Sequence, residues 1–290
     1  ETREHYGSLV KSIIANLKNK KHYRIVMDCA NGATSRLGPW MLKHLGHDVV
    51  AIHNTPDGKN INDNCGSLHT EAIQKRVIVE KADGGIAFDG DGDRVVLIDE
   101  EGAVLDGDNI LYILANSTEL GKHEGVVSTI MTNSALTDCL NDMGIRHEKV
   151  AVGDKHVFAK LKEKGWQLGG EPSGHIIWLP YSQSGDGILA GLLAVLIGLE
   201  NNTPLSWWRK KLPKYPRELL NFSLLENQAK QKKFEQWVDQ QAKAHQNRVD
   251  IGGRRSGTEP IYRVSIESKS LKDLQELSQA CKKKHQSLLA

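Results

Sequence analysis

Leu9, Val10, Ile13, Ile14 and Leu17 recur at three- and four-residue spacing, which predicts an amphipathic helix at the start of the chain. Arg24–Cys29 is a short β-rich run that ends in the turn Asn31-Gly32. Leu37, Met41, Leu42 and Leu45 then predict a second helix, closed by Gly46, a residue suited to the left-handed cap. Asp48–His53 reads as the next strand, and Pro56-Asp57-Gly58 turns the chain. A helix over Thr70–Lys81 leads to the strand Gly85–Phe88. This β-α-β-α-β alternation predicts an α/β domain over residues 1–103, with a largely parallel sheet covered by helices.

The same pattern resumes near Asp106. Strands are predicted at Val126–Ile130, Glu148–Val152 and Gln167–Gly169, with helices at Ser134–Met143, His156–Lys164 and Gly187–Leu199. A second α/β domain is therefore expected over residues 104–205. Pro204 and Pro213-Lys214-Tyr215-Pro216 mark a linker. Beyond it, strands Leu219–Leu225 and Val249–Ile251 flank a polar helix, Asn227–His245. Ile261–Glu267 alternates apolar and polar residues as a half-buried strand does, and a last helix follows at Leu271–Leu288. The fold class expected is two consecutive α/β domains with mixed, largely parallel sheets, then a smaller α+β domain over 206–290.

Composition narrows the function. With 290 residues, 39% of them hydrophobic, the chain can build more than one core. A net charge of +2 over 26% charged residues leaves no electrostatic footprint for nucleic acid or membrane. Lys282, Lys283 and Lys284 read as the solvated end of a helix. Gly187–Leu199 is too short to span a bilayer. Cys29, Cys65, Cys139 and Cys281 are spread widely without Cys-x-x-Cys spacing, as expected of reduced thiols in a cytoplasmic protein. The chain opens at Glu1 in a helical pattern, with no methionine or secretory signal, as expected of a fragment.

Three segments carry chemistry. In Asp89-Gly90-Asp91-Gly92-Asp93-Arg94, carboxylates alternate with glycines that let the backbone bend until the oxygens converge. Three crowded negative charges are costly without a cation, so the loop implies a divalent ion. An EF-hand would place Asp89, Asp91, Asp93 and Glu100 at ligand positions. Its turn, however, needs glycine where Arg94 stands, and the flanks Gly85–Phe88 and Val95–Ile98 are strand-like. Gly169-Gly170-Glu171-Pro172-Ser173-Gly174-His175 gathers a carboxylate, a hydroxyl and an imidazole at a strand end, groups that suit sugar hydroxyls. Taken alone the signal is weak, and a Gly/Pro-rich turn with a structural histidine is the more common explanation. Gly252–Pro260 joins small residues, hydroxyls and an arginine fork in a loop suited to phosphate, or else a solvated basic turn. A Walker-type loop would need lysine where Thr258 stands.

In this order the three segments resemble the α-D-phosphohexomutase superfamily. Its metal, sugar and phosphate loops read Asp-Gly-Asp-Gly-Asp-Arg, Gly-Glu-x-Ser-Gly-His and Arg-x-Ser-Gly-Thr-Glu-Pro. Asp28-Cys29-Ala30-Asn31-Gly32-Ala33, the run Pro56–Ser67 and Val152-Gly153-Asp154-Lys155 resemble the phosphoglucosamine mutase branch. The resemblance implies Mg²⁺ on Asp89, Asp91 and Asp93, with Arg94 on the transferred phosphoryl group. It also implies sugar contacts from Lys155, Glu171, Ser173 and His175, and a phosphate clamp of Arg254, Ser256, Gly257, Thr258 and Arg263. His175 and Arg94 become candidates for proton transfer. The implied reaction interconverts glucosamine 6-phosphate and glucosamine 1-phosphate through a phosphoserine and a 1,6-bisphosphate. Relatives carry that serine in a Ser-His-Asn-Pro-type loop of an N-terminal domain, and no such run occurs here. This chain is therefore expected to be inactive alone, to need that domain as a partner, and to leave a face on which a homodimer could form. The alternatives are a phosphomannomutase or phosphoglucomutase, or a non-catalytic phosphosugar- and metal-binding truncation.

Overall fold

The computed structural model describes residues 2–15, 21–117, 123–245, 248–256 and 259–289. Leu17 of the first predicted helix lies outside them. The chain separates into two compact units, Glu1–Thr132 with Leu136–Pro213, and Asn133–Ala135 with Lys214–Ala290.

The first unit opens with α1 (Thr2–Ile14), which buries Val10 and Ile13. Its larger sheet comprises β1 (Arg24–Asp28), β2 (Asp48–Ile52), β3 (Gly84–Phe88), β4 (Val95–Ile98) and β5 (Val104–Leu105), in the order β2-β1-β3-β4-β5. The first three strands are parallel and are joined by helical crossovers, α2 (Thr34–His44) and α3 (Glu71–Glu80). β3 and β4 are antiparallel, with Phe88 opposite Val95, so the aspartate segment between them is a hairpin loop. β1, β3 and β4 read as near-continuous apolar runs because both sheet faces are covered.

A second sheet in this unit has the order β7-β6-β8-β9. Its strands are β6 (Gly125–Thr129), β7 (Arg146–Val150), β8 (Leu168–Gly170) and β9 (Ile176–Trp178), β9 running antiparallel to β8. The helices here are α4 (Gly107–Ala115), α5 (Ser134–Asp142), α6 (Asp154–Lys164) and α7 (Gly187–Gly198). Every residue of α7 is buried, in keeping with a helix that is apolar on all sides. It packs against β3 and β4 of the first sheet, where a side chain at Gly191 would come within 2.9 Å of Val95 and 3.0 Å of Ile86. α8 (Leu205–Lys211) occupies the stretch expected to be linker. Arg209 ties it down, donating to the fully buried Asp99 (2.6 Å) and to Glu101 (2.7 Å).

The second unit is an antiparallel sheet of β10 (Arg217–Ser223), β11 (Val249–Arg255) and β12 (Ile261–Ser268), ordered β10-β12-β11. α9 (Gln228–His245) and α10 (Leu271–Leu289) pack on it. Phe234, fully buried, meets the rings of Phe222, Tyr262 and His285 at 5.1, 5.9 and 5.1 Å. The two consecutive α/β sheets and the smaller α+β unit are the fold class expected from the pattern.

Phe234→Ala is expected to lower stability by about 3–5 kcal/mol, the usual cost of emptying an aromatic core position. Urea denaturation of both proteins measures it; a loss below about 1 kcal/mol would show that this cluster does not hold the second unit together.

Candidate functional site

The aspartate loop sits where β3 turns into β4. One carboxylate oxygen each from Asp89, Asp91 and Asp93 lie within 4.8 Å of one another. Backbone bonds fix the bend: Arg94 N–H donates to Asp89 Oδ1 at 3.0 Å, and Gly92, at φ +80°, takes a conformation that favours glycine. Gly90 is pressed between neighbours. Its carbonyl accepts the Ala33 N–H at 2.8 Å, and a Cβ on Gly90 would lie 2.6 Å from the Asn62 amide nitrogen. From the other side, a Cβ on Gly32 would meet the Gly90 oxygen at 2.0 Å. Burial first, then the Asp93 and Asp91 carboxylates, push Asp89 up to about 6, while the Arg94 N–H opposes them. The Arg94 guanidinium stands 3.8 Å from Asp89 and 3.9 Å from Asp93. A set of oxygen donors whose mutual repulsion is this strong fits a hard divalent cation.

The Gly-Glu segment is the hairpin turn from β8 to β9. Gly174 N–H donates to the Glu171 carbonyl (3.0 Å), and Glu171 N–H to the His175 carbonyl (3.0 Å). Gly174 has φ +92°, and a Cβ there would fall 2.0 Å from the Val95 carbonyl oxygen. The turn is thereby seated on the aspartate hairpin: Val95 N–H donates to the Gly174 carbonyl at 3.1 Å, and Arg94 bridges His175. His175, buried, places Nδ1 3.1 Å from Asp93 Oδ2, and its Nε2 has no protein partner. Glu171 is half-buried and accepts the Gly153 N–H at 3.0 Å, which brings the start of α6 beside it. Ser173, and Lys155 on the first turn of α6, are exposed. Asp89, Asp91, Asp93, Arg94, Glu171, Ser173, His175 and Lys155 thus all belong to the first unit, and the aspartate and Gly-Glu loops share hydrogen bonds.

Sequence reasoning passed over Tyr6, Gly185 and Asp186. Asp186 caps α7 through the Leu189 N–H (2.9 Å), and both its oxygens accept from Tyr6 Oη at 2.9 Å. A Cβ on Gly185 would strike His175 at 2.4 Å. With Thr34, Asp91, Asp93 and Ser184, Tyr6 and Asp186 line a cavity of about 280 Å³. The available signal was the polar Gly-Asp-Gly run directly before an apolar helix, an N-cap pattern.

The arginine segment belongs to the second unit and differs from expectation. Residues 252–255 are not loop but the end of β11, and Gly257 and Thr258 lie outside the described residues. Gly252 and Gly253 are extended rather than turned; a Cβ on Gly253 would meet the Tyr262 hydroxyl at 2.2 Å, so glycine there makes room for a tyrosine. Arg254 and Arg263 stand directly opposite across β11 and β12, hence on one face. Two like charges in that register are unfavourable unless an anion lies near. Arg263 also pairs with Glu259, and Ser256 Oγ accepts the Glu259 N–H at 3.3 Å. Arg255 instead bonds Glu235 of α9 at 2.8 Å.

Residues 4–102 match "Phosphoglucomutase/phosphomannomutase, alpha/beta/alpha domain II" and residues 106–215 match domain III of the same family. The chain belongs to the phosphoglucomutase/phosphomannomutase family. A phosphoglucosamine mutase of Psychrobacter sp. is 46% identical over 88% of this chain and 56% of that protein. Another, from Hydrogenovibrio crunogenus, is 44% identical over 91% of this chain and 60% of that protein. The chain therefore spans less than two thirds of these relatives. Among solved structures, a phosphoglucomutase/phosphomannomutase family protein of Burkholderia thailandensis matches with TM-score 0.78 and 22% identity, over 99% of this chain and 65% of that one. Aspergillus fumigatus N-acetylphosphoglucosamine mutase, solved with GlcNAc-6P and magnesium, matches with TM-score 0.72 and 18% identity, over 98% and 66%. These structural likenesses support the fold.

A carboxyl with its pKa raised to about 6 is largely protonated at pH 5, and a proton must leave before a cation binds. Mn²⁺ affinity is accordingly expected to fall about tenfold between pH 7.5 and 5 from Asp89 alone. Asp91→Asn is expected to remove most of the affinity at either pH. Titration followed by Mn²⁺ electron paramagnetic resonance reads both effects; equal binding by the variant would sink the metal assignment.

Proposed function

We propose that this chain is the metal-, sugar- and phosphate-binding part of a phosphoglucosamine mutase, interconverting glucosamine 6-phosphate and glucosamine 1-phosphate. The reading rests above all on the hydrogen bond between Asp93 and His175, which joins the aspartate loop to the Gly-Glu loop in one unit. The names of the relatives, each longer than this chain, supply the substrate class.

In this reading Asp89, Asp91 and Asp93 hold Mg²⁺, which when bound would offset negative charge on a phosphoryl group. Arg94, already beside Asp89 and Asp93, adds a fork of donors for the same group. Glu171 and Ser173 accept and donate to sugar hydroxyls, and exposed Lys155 follows by two residues Gly153, whose N–H Glu171 accepts. His175 holds or moves a proton at Nε2, since Nδ1 is committed to Asp93. Arg254 and Arg263 grip the phosphate that is not transferred, with Ser256, Gly257 and Thr258 completing the clamp. The phosphoserine of a first domain gives its phosphoryl group to a hydroxyl of the sugar phosphate, the sugar 1,6-bisphosphate is the intermediate, and the freed serine oxygen then takes back its other phosphoryl group. The four free cysteines fit the cytoplasm, where thiols stay reduced.

Arg254→Ala is expected to weaken glucosamine 6-phosphate binding by about 1.5–3 kcal/mol, the worth of a charge-assisted hydrogen bond, and to leave glucosamine binding unchanged. Calorimetry with both ligands measures this; equal losses would mean that the segment does not read phosphate.

Mutase turnover is expected only when the chain is mixed with, or fused to, a serine-bearing first domain, because positioning cannot replace a nucleophile. A coupled assay with Mg²⁺ and glucose 1,6-bisphosphate tests it. Stoichiometric turnover by the chain alone would overturn the assignment of the phosphate carrier.

A further inference from the structure

We propose that Asp28, His53 and Cys65 form a second cation site in the first unit, one for a soft divalent ion of the Zn²⁺ class. Asp28 ends β1, His53 follows β2, and Cys65 precedes the short turn Gly66–Leu68. One ligand atom from each lies within 4.8 Å of the other two. Asp28 is fully buried and Cys65 nearly so, while the His53 side chain is 31% exposed. The site is thus enclosed on two sides and open at the imidazole.

Asp28 is held for this role. Its Oδ1 accepts the Ala30 N–H at 2.9 Å, and its Oδ2 stands 2.9 Å from His53 Nδ1. A buried carboxylate needs a partner charge or a donor, and here the Ala30 N–H and a proton on His53 Nδ1 supply it. A cation can replace that proton without moving either residue far. In a tetrahedral zinc site the ligand atoms are roughly 3.3–3.8 Å apart, given bonds of about 2.0–2.3 Å. The oxygen–nitrogen pair already meets that spacing within a few tenths of an ångström, and a side-chain rotation of Cys65 supplies the rest. On binding, the Cys65 thiol gives its proton to solvent and its sulfur lone pair to the ion.

Donor chemistry separates this site from the aspartate loop. Three carboxylates favour a hard ion such as Mg²⁺, whereas carboxylate, imidazole and thiolate together favour Zn²⁺. The backbone around the ligands is also unusual. Ala30, Asn31, His53, Asn62 and Asn64 all have positive φ, between 45° and 59°, and lie in the segments that carry or adjoin the ligands. Such conformations disfavour side-chain-bearing residues and persist where the surroundings enforce them. The same segments buttress the aspartate loop: Asn62 N–H donates to the Ala30 carbonyl at 2.9 Å, and Ile61 and Asn62 pack against Gly90. An ion joining β1, β2 and the 53–66 segment would stiffen that support.

The competing explanation is a structural imidazole–carboxylate pair beside an inert thiol. To separate them, the chain is saturated with Mg²⁺ and titrated with Co²⁺ under reducing, anaerobic conditions. One equivalent of Co²⁺ is expected to produce a near-ultraviolet thiolate-to-cobalt absorption that Zn²⁺ abolishes. Cys65→Ser should lose the band, Cys29→Ser should keep it, and His53→Gln should weaken Co²⁺ binding about tenfold or more. Far-ultraviolet circular dichroism and Mn²⁺ binding at the aspartate loop establish that each variant is folded. Absence of the band in the unaltered chain, or its survival in folded Cys65→Ser, would overturn the proposal.

Discussion

Three carboxylates held within 4.8 Å repel one another, and much of the first unit is arranged to keep them there. Burial first, and then that repulsion, push the Asp89 pKa up to about 6. Opposing it are structures that cannot relax easily: an antiparallel hairpin on both sides, a glycine at φ +80° in the middle, and backbone bonds to Ala33 and Gly187. A loop of this kind stores an unfavourable interaction that a divalent cation would convert into a favourable one. Its rigidity matters because a flexible loop would spread the charges and lose affinity.

The His175–Asp93 hydrogen bond has consequences for both partners. It commits one oxygen lone pair of Asp93 and fixes the imidazole edge, leaving Nε2 unpaired in a buried position. A buried ring nitrogen without a partner is costly, so it marks a place where a further polar group belongs. The Val95–Gly174 backbone bond holds the two loops in this relation independently of the side chains. Any ligand that engages Glu171 or Ser173 therefore meets the aspartate loop with little rearrangement inside the first unit.

Long periodic elements were legible in the sequence, and so were the loops that break them. The strands flanking the aspartate segment, the chief argument against an EF-hand, are β3 and β4. What escaped was short or hidden. β5 has two residues and β9 three, too few to show alternation. α4 is buried throughout, so its run Ile110–Ala115 carries no amphipathic period, although Asp106 and Asn109 form a capping box that signals its start. α8 lies between Pro204 and Pro213, and the prolines suggested linker where the first of them is in fact the N-cap of a helix. Its anchor, the Arg209–Asp99 pair, joins residues 110 positions apart, a contact that no local pattern records.

Glycine was the most ambiguous signal, and the structure shows why. The absent side chain lets the Asn62 and Ile61 side chains approach closely at 90, the Val95 backbone at 174 and the His175 imidazole at 185, and at 92 and 174 it also permits a positive φ. These are the uses that a Gly-rich functional loop implies. At 252 and 253 the same residue sits in an extended edge strand, where Gly253 clears space for the Tyr262 hydroxyl and Gly252 faces open space. Composition cannot distinguish these cases, because both need only the loss of a Cβ. The distinguishing fact is the partner strand. β12 pairs residues 249–255 in continuous antiparallel register, so the chain stays extended through Arg255. The arginine pair at 254 and 263 thereby gains a rigid, strand-borne spacing that a mobile glycine loop could not provide. In the proposed phosphate clamp, that fixed spacing would preorganise the two guanidinium groups as donors.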